Sequence, residues 1–186
     1  MNNIIDPYTF VVFLHVVGSV IGVGTVTVND LQFTRAIGDR DLGVAYLKST
    51  KIYSLLIFCA LALLIASGFY FMFSKPVLWS SGKILTKMAI VGILTINGIF
   101  MNLKLRPKLS KLTPDDWAGK SAKLKKIAYF GAPFGTIATV SWYFTLFLGA
   151  VGRQPWKPMQ IIAVYVLLLI IGYFIVRQII NRQFSK

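Results

Sequence analysis

Apolar residues dominate five long windows of the chain, and short polar or basic segments separate them. The windows cover approximately residues 7–29, 53–73, 84–103, 127–151 and 159–180. A helix needs about 20 residues to cross the roughly 30 Å hydrocarbon layer of a bilayer. Because backbone polar groups find no water in lipid, each window is predicted to be a helix. The pattern predicts an all-α integral membrane bundle of five transmembrane helices, which form a single domain over residues 1–186.

Composition agrees with this class of protein. Hydrophobic residues make up 56% of the chain and charged residues 14%, whereas about a quarter of the residues in soluble domains carry charge. Cys59 is the only cysteine, which excludes an internal disulfide and a cysteine-ligated iron–sulfur cluster. Because Cys59 falls in the middle of a window, we expect it to be a small buried apolar side chain.

The basic residues are unevenly divided between the two sides of the predicted bundle. Fifteen of the 20 Lys and Arg residues lie between the first two windows, between the third and fourth, or after the fifth. The basic inner loop at 104–126 alone carries eight of them. Cytoplasmic loops collect Lys and Arg, so the amino terminus is predicted outside and the carboxyl terminus inside. The same charges would attract anionic lipids at the inner face, and a nucleic-acid partner is not expected because no recognition module is present.

The basic inner loop contains a helix-start pattern. Thr113 is suited to be an N-cap, Pro114 to be the first helical residue, and the two aspartates after it face the positive helix end. A short surface helix is therefore predicted to begin at Pro114 and to continue toward the fourth window. Trp117 would anchor this helix at the inner headgroups.

One face of the first helix brings together the only histidine and two glycines. His15, Gly18 and Gly22 are three and then four residues apart, so they share one side of a helix. An imidazole about 10 Å inside the hydrocarbon is expensive to bury and is a candidate functional group. In one interpretation His15 hydrogen-bonds a neighbouring helix and the glycines form a packing seam. In the other it ligates a haem iron, and the glycines let the flat porphyrin approach.

A second axial ligand from the same chain would have to be a residue other than histidine. Met88 is the best internal candidate, because it falls about one turn inside the outer end of the third helix, at a depth similar to that of His15. Met72, at the outer end of the second helix, is the next. Both methionines have packing as their alternative role.

The fourth window carries a stripe of small or polar residues that is predicted to face inward. Its members are Gly131, Gly135, Trp142, Thr145, Gly149 and Arg153. Trp142 lies near mid-membrane, where its indole N–H needs a partner. Arg153 ends the stripe on the outer side, which it shares with His15, so the two are predicted neighbours across a cavity.

Two charged residues near the first and third windows need an explanation, one just after the first and one inside the third. Asp30, near the inner end of the first helix, is expected either to be a solvated interfacial carboxylate or to pair with Arg35 or the inner lysines. Lys87, in the first turn of the third helix, is expected to snorkel to the outer headgroups.

After the fourth window the chain reads GRQPW at residues 152–156. This pentapeptide resembles the signature of subunit I of cytochrome bd-type quinol oxidases, which lies at the outer end of the penultimate helix. His15 resembles the haem-ligating histidine in the first helix of that family. The resemblance covers the first, fourth and fifth windows at most. The stretches LHVVGSVIGVG and TRAIGDRD are also similar to small uncharacterised bacterial membrane proteins with five helices.

The resemblance implies a haem b pocket in the outer half of the membrane, with His15 as the metal ligand. Arg153 would neutralise a haem propionate through a bidentate contact, and Gln154 would hydrogen-bond nearby. The alternative is that Arg153 binds a lipid phosphate and the motif only stops the helix. The family's acidic haem ligand is replaced here by Ala150, and its quinol-binding loop has no counterpart, so oxygen reduction with three haems is not implied.

Three functions follow as expectations. The first is a small b-type cytochrome-like protein, or a subunit of a respiratory complex, that transfers electrons in the bacterial cytoplasmic (inner) membrane, with quinone as a candidate further ligand. The second is a cofactor-free accessory or assembly subunit, whose small-residue faces dock another membrane subunit or a second copy. The third is an ion transporter or channel lined by His15, Asn97, Asn102 and Thr145. An odd helix count disfavours transport because it gives no inverted repeat within one chain.

Overall fold

A computed structural model describes residues 6–152 and 156–185. Within these residues the chain forms six α-helices and no strand. They are α1 (Pro7–Ala36), α2 (Arg40–Ser74), α3 (Gly82–Leu109, with a π-helical turn at Met101–Leu105), α4 (Pro114–Ala118), α5 (Ala122–Ala150) and α6 (Pro158–Ser185). A short 3₁₀ turn at Pro76–Ser80 joins α2 to α3.

Four of these helices, α1, α2, α3 and α6, are long and apolar enough to cross a membrane. This confirms the all-α class and the apolar helices that a multi-pass membrane protein requires. Helix α5 has 29 residues and is therefore long enough to span a bilayer as well. It is not among the four by apolarity, and its sequence carries several glycine, serine and threonine residues and a tryptophan. The count of five spanning helices and their orientation stay predictions.

Helices α1 and α2 extend beyond their apolar windows and form a tight hairpin. Helix α1 continues to Ala36 and α2 begins at Arg40, so most of the segment predicted as a loop is helical. Gly38 makes the turn with φ of 91°, a conformation that glycine adopts without strain. The Asp39 side chain accepts a hydrogen bond from the backbone N–H of Leu42 at 2.9 Å and so caps α2.

Helix α5 is the centre of the bundle. It packs against α1, α3 and α6, while α1 packs chiefly along α2. Its buried residues include Ala132, Thr136, Ser141, Trp142 and Thr145. Of the predicted stripe, Trp142 and Thr145 face inward, Gly131 and Gly135 are partly buried, and Gly149 is exposed.

The predicted cap of α4 is present. Thr113 Oγ1 accepts from the backbone N–H of Asp116 at 3.3 Å, and a carboxylate oxygen of Asp116 accepts from the backbone N–H of Thr113 at 2.9 Å. These reciprocal bonds form a capping box. Helix α4 ends before Gly119 and does not continue into α5, because Ser121 caps a new helix through the N–H of Leu124 at 3.1 Å.

The capping box should make the thermal stability of the protein depend on pH in the acidic range. Hydrogen bonding to the Thr113 backbone is the largest cause that lowers the pKa of Asp116 from 3.8 to about 2. A carboxyl whose pKa is lower in the folded state stabilises the fold above its unfolded pKa and loses that contribution as the pH falls. We expect Asp116→Asn to lower the thermal midpoint above pH 4, and the difference from wild type to shrink as the pH falls toward 2. Asp115→Asn is the control, and an equal pH profile for both variants would contradict the capping role.

Trp117 is not an interfacial anchor, contrary to the sequence prediction. Its side chain is 0% exposed and packs against the rings of Phe33 and Tyr46, with centroids 6.1 and 5.8 Å away. The carbonyl of Trp117 accepts a hydrogen bond from the N–H of Gly38 at 3.0 Å. The hairpin turn and the capped helix α4 thus hold the indole inside the bundle.

Cys59 is the second residue whose predicted environment is wrong. Its side chain is exposed on the outer surface of α2, while its neighbour Ala60 is buried against α1. Adjacent residues of a helix point in directions about 100° apart, so only one of the two faces the core. A free thiol facing lipid is an apolar surface group in this position.

Candidate functional site

A cavity of about 250 Å³ lies between α1, α2, α3 and α5, at the end of the bundle where α1 begins. We call it the His15 cavity. Most of its wall is apolar or aromatic, and that part includes Leu64, Phe71, Met72, Val91, Trp142 and Leu146. Polar groups reach it from Tyr8, His15, Ser19, Lys87 and Thr145.

The His15 ring is held in one orientation by α2. Its Nδ1 lies 2.7 Å from Ser67 Oγ, and the Ser67 hydroxyl donates to the carbonyl of Leu63 at 2.5 Å. Because that hydroxyl proton is already used, the Ser67 oxygen is placed to accept from Nδ1–H of His15, and in the neutral imidazole this tautomer has its lone pair on Nε2. The ring of Phe71 packs edge-on against the imidazole, with the two ring centroids 5.4 Å apart. The lone pair of Nε2 is therefore left to bind a ligand or accept a proton.

The two glycines beside His15 do not line an open groove. A Cβ atom at Gly18 would lie 3.1 Å from Leu63 Cβ and 3.2 Å from the carbonyl oxygen of Ala60, so this glycine allows α1 and α2 to approach. At Gly22 a Cβ would overlap the six-membered ring of Trp142. The groove predicted to receive a porphyrin is thus closed by α2 and by an indole.

Trp142 separates the His15 cavity from the rest of the α1–α5 interface. It is 1% exposed, lines the cavity with part of its indole and covers Gly22 with the remainder. The next polar residue on this face, Thr145, donates its hydroxyl to the carbonyls of Ser141 and Trp142 at 2.8 and 3.0 Å. The buried indole of Trp142 therefore forms the aromatic floor of the His15 cavity, in agreement with its predicted inward position.

Lys87 and Met88 enter the same cavity from α3. The ammonium nitrogen of Lys87 lies 3.5 Å from the position that a Cβ at Gly149 would occupy, so the missing side chain leaves room for it. Lys87 belongs to neither of the two ion pairs found among the described residues. Lys87 thus brings a positive charge without an ion-pair partner to the cavity, beside the last turn of α5. The expectation that Lys87 snorkels to the outer headgroups stays a prediction. The Sδ atom of Met88 lies at the wall formed by Gly68.

Arg153 and Gln154 lie outside the described residues, so their predicted roles stay predictions. The residues just before them contact a lysine of α3: Lys83 Nζ donates to the carbonyl oxygens of Val151 and Gly152, with a distance of 3.0 Å to the latter. This contact fixes the end of α5 beside the start of α3.

The residues predicted to line an ion path are not arranged along one path. His15 and Thr145 line the His15 cavity. Asn97 is buried elsewhere and donates to the carbonyl of Phe134 at 3.0 Å, while Asn102 accepts from Arg106 at 3.0 Å. Asn97 thus joins α3 to α5, Asn102 bonds within α3, and neither extends the polar surface at His15.

A second cavity, of about 340 Å³, surrounds Asp30 at the opposite end of α1. We call it the Asp30 cavity. Asp30 accepts hydrogen bonds from Thr139 Oγ1 at 2.5 Å and from Asn29 Nδ2 at 3.3 Å. It forms no ion pair with Arg35 or a lysine within the part of the chain that the structure describes, contrary to one of the sequence expectations. Only the position of the carboxylate could be read from the sequence, because most of the cavity wall comes from other helices, α2, α3, α5 and α6.

The donor set at His15 suits axial ligation of a haem, but the available space does not suit the macrocycle. Nε2 is free, and Met88 shares the cavity. A cavity of about 150 Å³ holds benzene, and pockets for drug-sized ligands measure about 300–1,000 Å³. At about 250 Å³ the His15 cavity suits one substituted ring, and Trp142 occupies the surface along which a porphyrin would lie. Haem b stays a prediction.

The long apolar helices are consistent with a multi-pass helical membrane protein. Its site is a small, mostly apolar cavity that an imidazole, an ammonium and the hydroxyls of Tyr8, Ser19 and Thr145 reach. No family model, curated protein or solved structure matches the chain. The resemblance to cytochrome bd-type quinol oxidases stays a prediction from the residues that carry it.

Proposed function

We propose that the protein resides in the bacterial cytoplasmic membrane and binds a quinone or quinol headgroup in the His15 cavity. In this proposal all five long helices span the bilayer, and the bias of Lys and Arg toward one side sets the amino terminus outside. The His15 cavity then lies in the outer half of the membrane, within reach of a lipid-soluble quinone.

The observation that carries the proposal is the meeting of His15 and Lys87 in one apolar cavity of this size. A quinone has a flat apolar ring with an oxygen on each of two opposite edges. The ammonium of Lys87 can donate to a carbonyl oxygen, and the free Nε2 of His15 can accept the hydroxyl proton of a quinol. Phe71 and Trp142 supply the aromatic walls on which such a ring packs.

An unpaired ammonium also favours a ligand over a purely structural role. Charged groups inside a membrane are expensive and usually pair with one another or face a polar path. The residues that line the His15 cavity include no carboxylate. Ligand oxygens would supply the partner that Lys87 lacks, and charge-assisted hydrogen bonds are about twice as strong as neutral ones.

Haem b is the alternative occupant, as in a small b-type cytochrome-like subunit. The observation in its favour is that Nε2 of His15 and the Met88 side chain reach the same cavity. A bound haem would supply one-electron transfer. It would also require Trp142 to leave its contact with Gly22, which a single ring does not.

Titration of the purified protein with decylubiquinone in a nonionic detergent tests the proposal. We expect saturable stabilisation against heat. Lys87→Met should weaken binding by about 10-fold or more, because a hydrogen bond to a charged group contributes about 1.5–3 kcal/mol. His15→Gln removes a neutral hydrogen bond of about 0.5–1.5 kcal/mol and should weaken binding by about 2- to 10-fold. Lys51→Met is the matched control, since Lys51 is exposed on α2, and it should leave binding unchanged.

Two results would overturn this proposal. A Soret band that shifts on reduction with dithionite and disappears in His15→Ala would assign the cavity to haem. Colourless protein that binds decylubiquinone no better than the Lys87→Met variant does would leave the cofactor-free accessory role as the better explanation.

A further inference from the structure

The Asp30 cavity has one polar end and a long apolar body. The polar end combines Asp30, Asn29 and Thr139 with a hydrogen bond of 2.8 Å between the hydroxyls of Thr27 and Tyr143. The apolar body is formed by side chains of α3, α5 and α6, among them Leu105, Ile127, Val176 and Ile180. The cavity is distinct from the His15 cavity, because Trp142 and Gly22 are in contact between them.

Asp30 is a carboxylate without a positive partner. Its two hydrogen bonds, from Thr139 and Asn29, use only part of the capacity of an ionised carboxylate, which has about four lone-pair sites. No lysine or arginine lines the cavity. An unpaired carboxylate in apolar surroundings costs several kcal/mol, which a bound positive charge offsets. The charge of the cavity therefore selects a cation.

The volume and the wall of the cavity select the kind of cation. A metal ion or a few waters, at about 30 Å³ per water, would leave most of the 340 Å³ and its apolar wall without contacts. At Gly135 a Cβ atom would meet no atom within 4 Å, so the wall of α5 is open there. An organic cation with an apolar body fills this space.

The cavity is reached from the side of the bundle. Three of its lining residues are also exposed on the surface, namely Leu31 at 54%, Tyr143 at 46% and Ile179 at 41%. All three carry large apolar or aromatic side chains of the kind that faces lipid. A ligand that partitions into the membrane can therefore enter without crossing the bundle.

We propose that the Asp30 cavity binds a primary ammonium on an apolar body, with the ammonium at Asp30 and the body along Gly135 and Ile180. The three N–H donors of a primary ammonium match the carboxylate, the Thr139 hydroxyl oxygen and the hydroxyls of Thr27 and Tyr143. The ammonium belongs to a free membrane-soluble amine or to the headgroup of a phosphatidylethanolamine, which share this chemistry.

Thermal unfolding in a nonionic detergent, measured against octylammonium chloride, tests this site. Octanol is the control ligand, because it has the same alkyl chain as octylammonium without the positive charge. Sodium chloride at equal concentration controls for the effect of salt. We expect octylammonium to stabilise the wild-type protein saturably, with an apparent affinity at least about 10-fold above that of octanol. Asp30→Asn should remove this preference while octanol binding persists.

A cavity-filling variant provides a second test that does not alter the charge. Gly135→Leu places a side chain in open space and replaces glycine by a better helix former, so the protein should fold and lose octylammonium binding by about 10-fold or more. Gly92→Leu is the matched control, because Gly92 also has no atom within 4 Å of a Cβ position but lies on the exposed surface of α3. It should bind as wild type does.

Dioctanoyl phosphatidylethanolamine and dioctanoyl phosphatidylcholine distinguish the two sources. Stabilisation by the first alone, lost in Gly135→Leu, assigns the site to a lipid headgroup, and stabilisation by octylammonium alone assigns it to a free amine. The proposal would be overturned if wild type responded equally to octylammonium and octanol and also equally to the two phospholipids, or if binding were unchanged in Gly135→Leu. Decylubiquinone binding should be unaffected by Gly135→Leu, because quinone is proposed to bind in the other cavity. A failure of the quinone proposal can therefore be distinguished from a failure of the ammonium proposal.

Discussion

Replacing Trp117 by alanine is expected to lower the free energy of unfolding by about 3–5 kcal/mol, the usual cost of deleting a buried tryptophan. The indole is 0% exposed, and its ring fills the space above Gly43, where a Cβ atom would overlap it. Phe33 and Tyr46 would lose their aromatic contacts at the same time. The loss would release α4 from the α1–α2 hairpin.

The control for this experiment is Trp79→Ala. Trp79 is 45% exposed, so its removal should cost far less than the removal of Trp117. Reversible unfolding in detergent, followed by near-ultraviolet circular dichroism, measures both. Equal losses in the two variants would mean that Trp117 acts as a surface anchor, as the sequence alone indicated.

Gly22→Ala is expected to destabilise the protein by about 1–3 kcal/mol through overpacking. The added methyl group would overlap three carbons of the Trp142 ring, and neither α1 nor α5 can move without disturbing the His15 cavity. Trp142→Phe removes part of that ring, so the double variant should cost less than the sum of the two single variants by about 0.5–3 kcal/mol. Decylubiquinone binding should weaken in Gly22→Ala as the floor of the cavity shifts.

Gly24→Ala is the matched control on the same helix. A Cβ atom at Gly24 would meet no atom within 4 Å, so alanine should be neutral or stabilising by up to about 1 kcal/mol, the difference in helix propensity. If Gly22→Ala behaves like Gly24→Ala in chemical or thermal unfolding, the contact between Gly22 and Trp142 is not tight.

The small-residue faces bear on the accessory-subunit alternative. These faces were expected to dock another membrane subunit or a second copy, but several of their glycines are used within the chain. Gly18 contacts α2, Gly22 receives Trp142, and a Cβ at Gly131 would lie 3.2 Å from Leu105. Gly24 remains on an exposed surface. Docking of a second copy or of another subunit stays a prediction. Less of the small-residue surface on α1 and α5 is available for such a contact, because these glycines already contact other helices of the same chain.

Much of the helical architecture could be predicted because it depends on local properties of the chain. The apolar windows fix which segments avoid water, and a segment in lipid has to be helical. The capping box at Thr113 and the inward position of Trp142 and Thr145 on α5 follow from spacing along one helix. Likewise, the depth and rarity of His15 sufficed to single it out, and it lies on a cavity.

The remaining features depend on residues that are far apart in the sequence. Whether Gly22 opens onto a cofactor or onto an indole is decided by Trp142, and whether Trp117 meets headgroups or protein is decided by the turn at Gly38. The Asp30 cavity likewise exists because α5 and α6 enclose a carboxylate on α1. Periodicity and hydropathy describe one helix at a time, so the sequence by itself determined which segments are apolar helices and which residues share a face. Only the packing of distant helices decided which of those faces are filled and which leave room for a ligand.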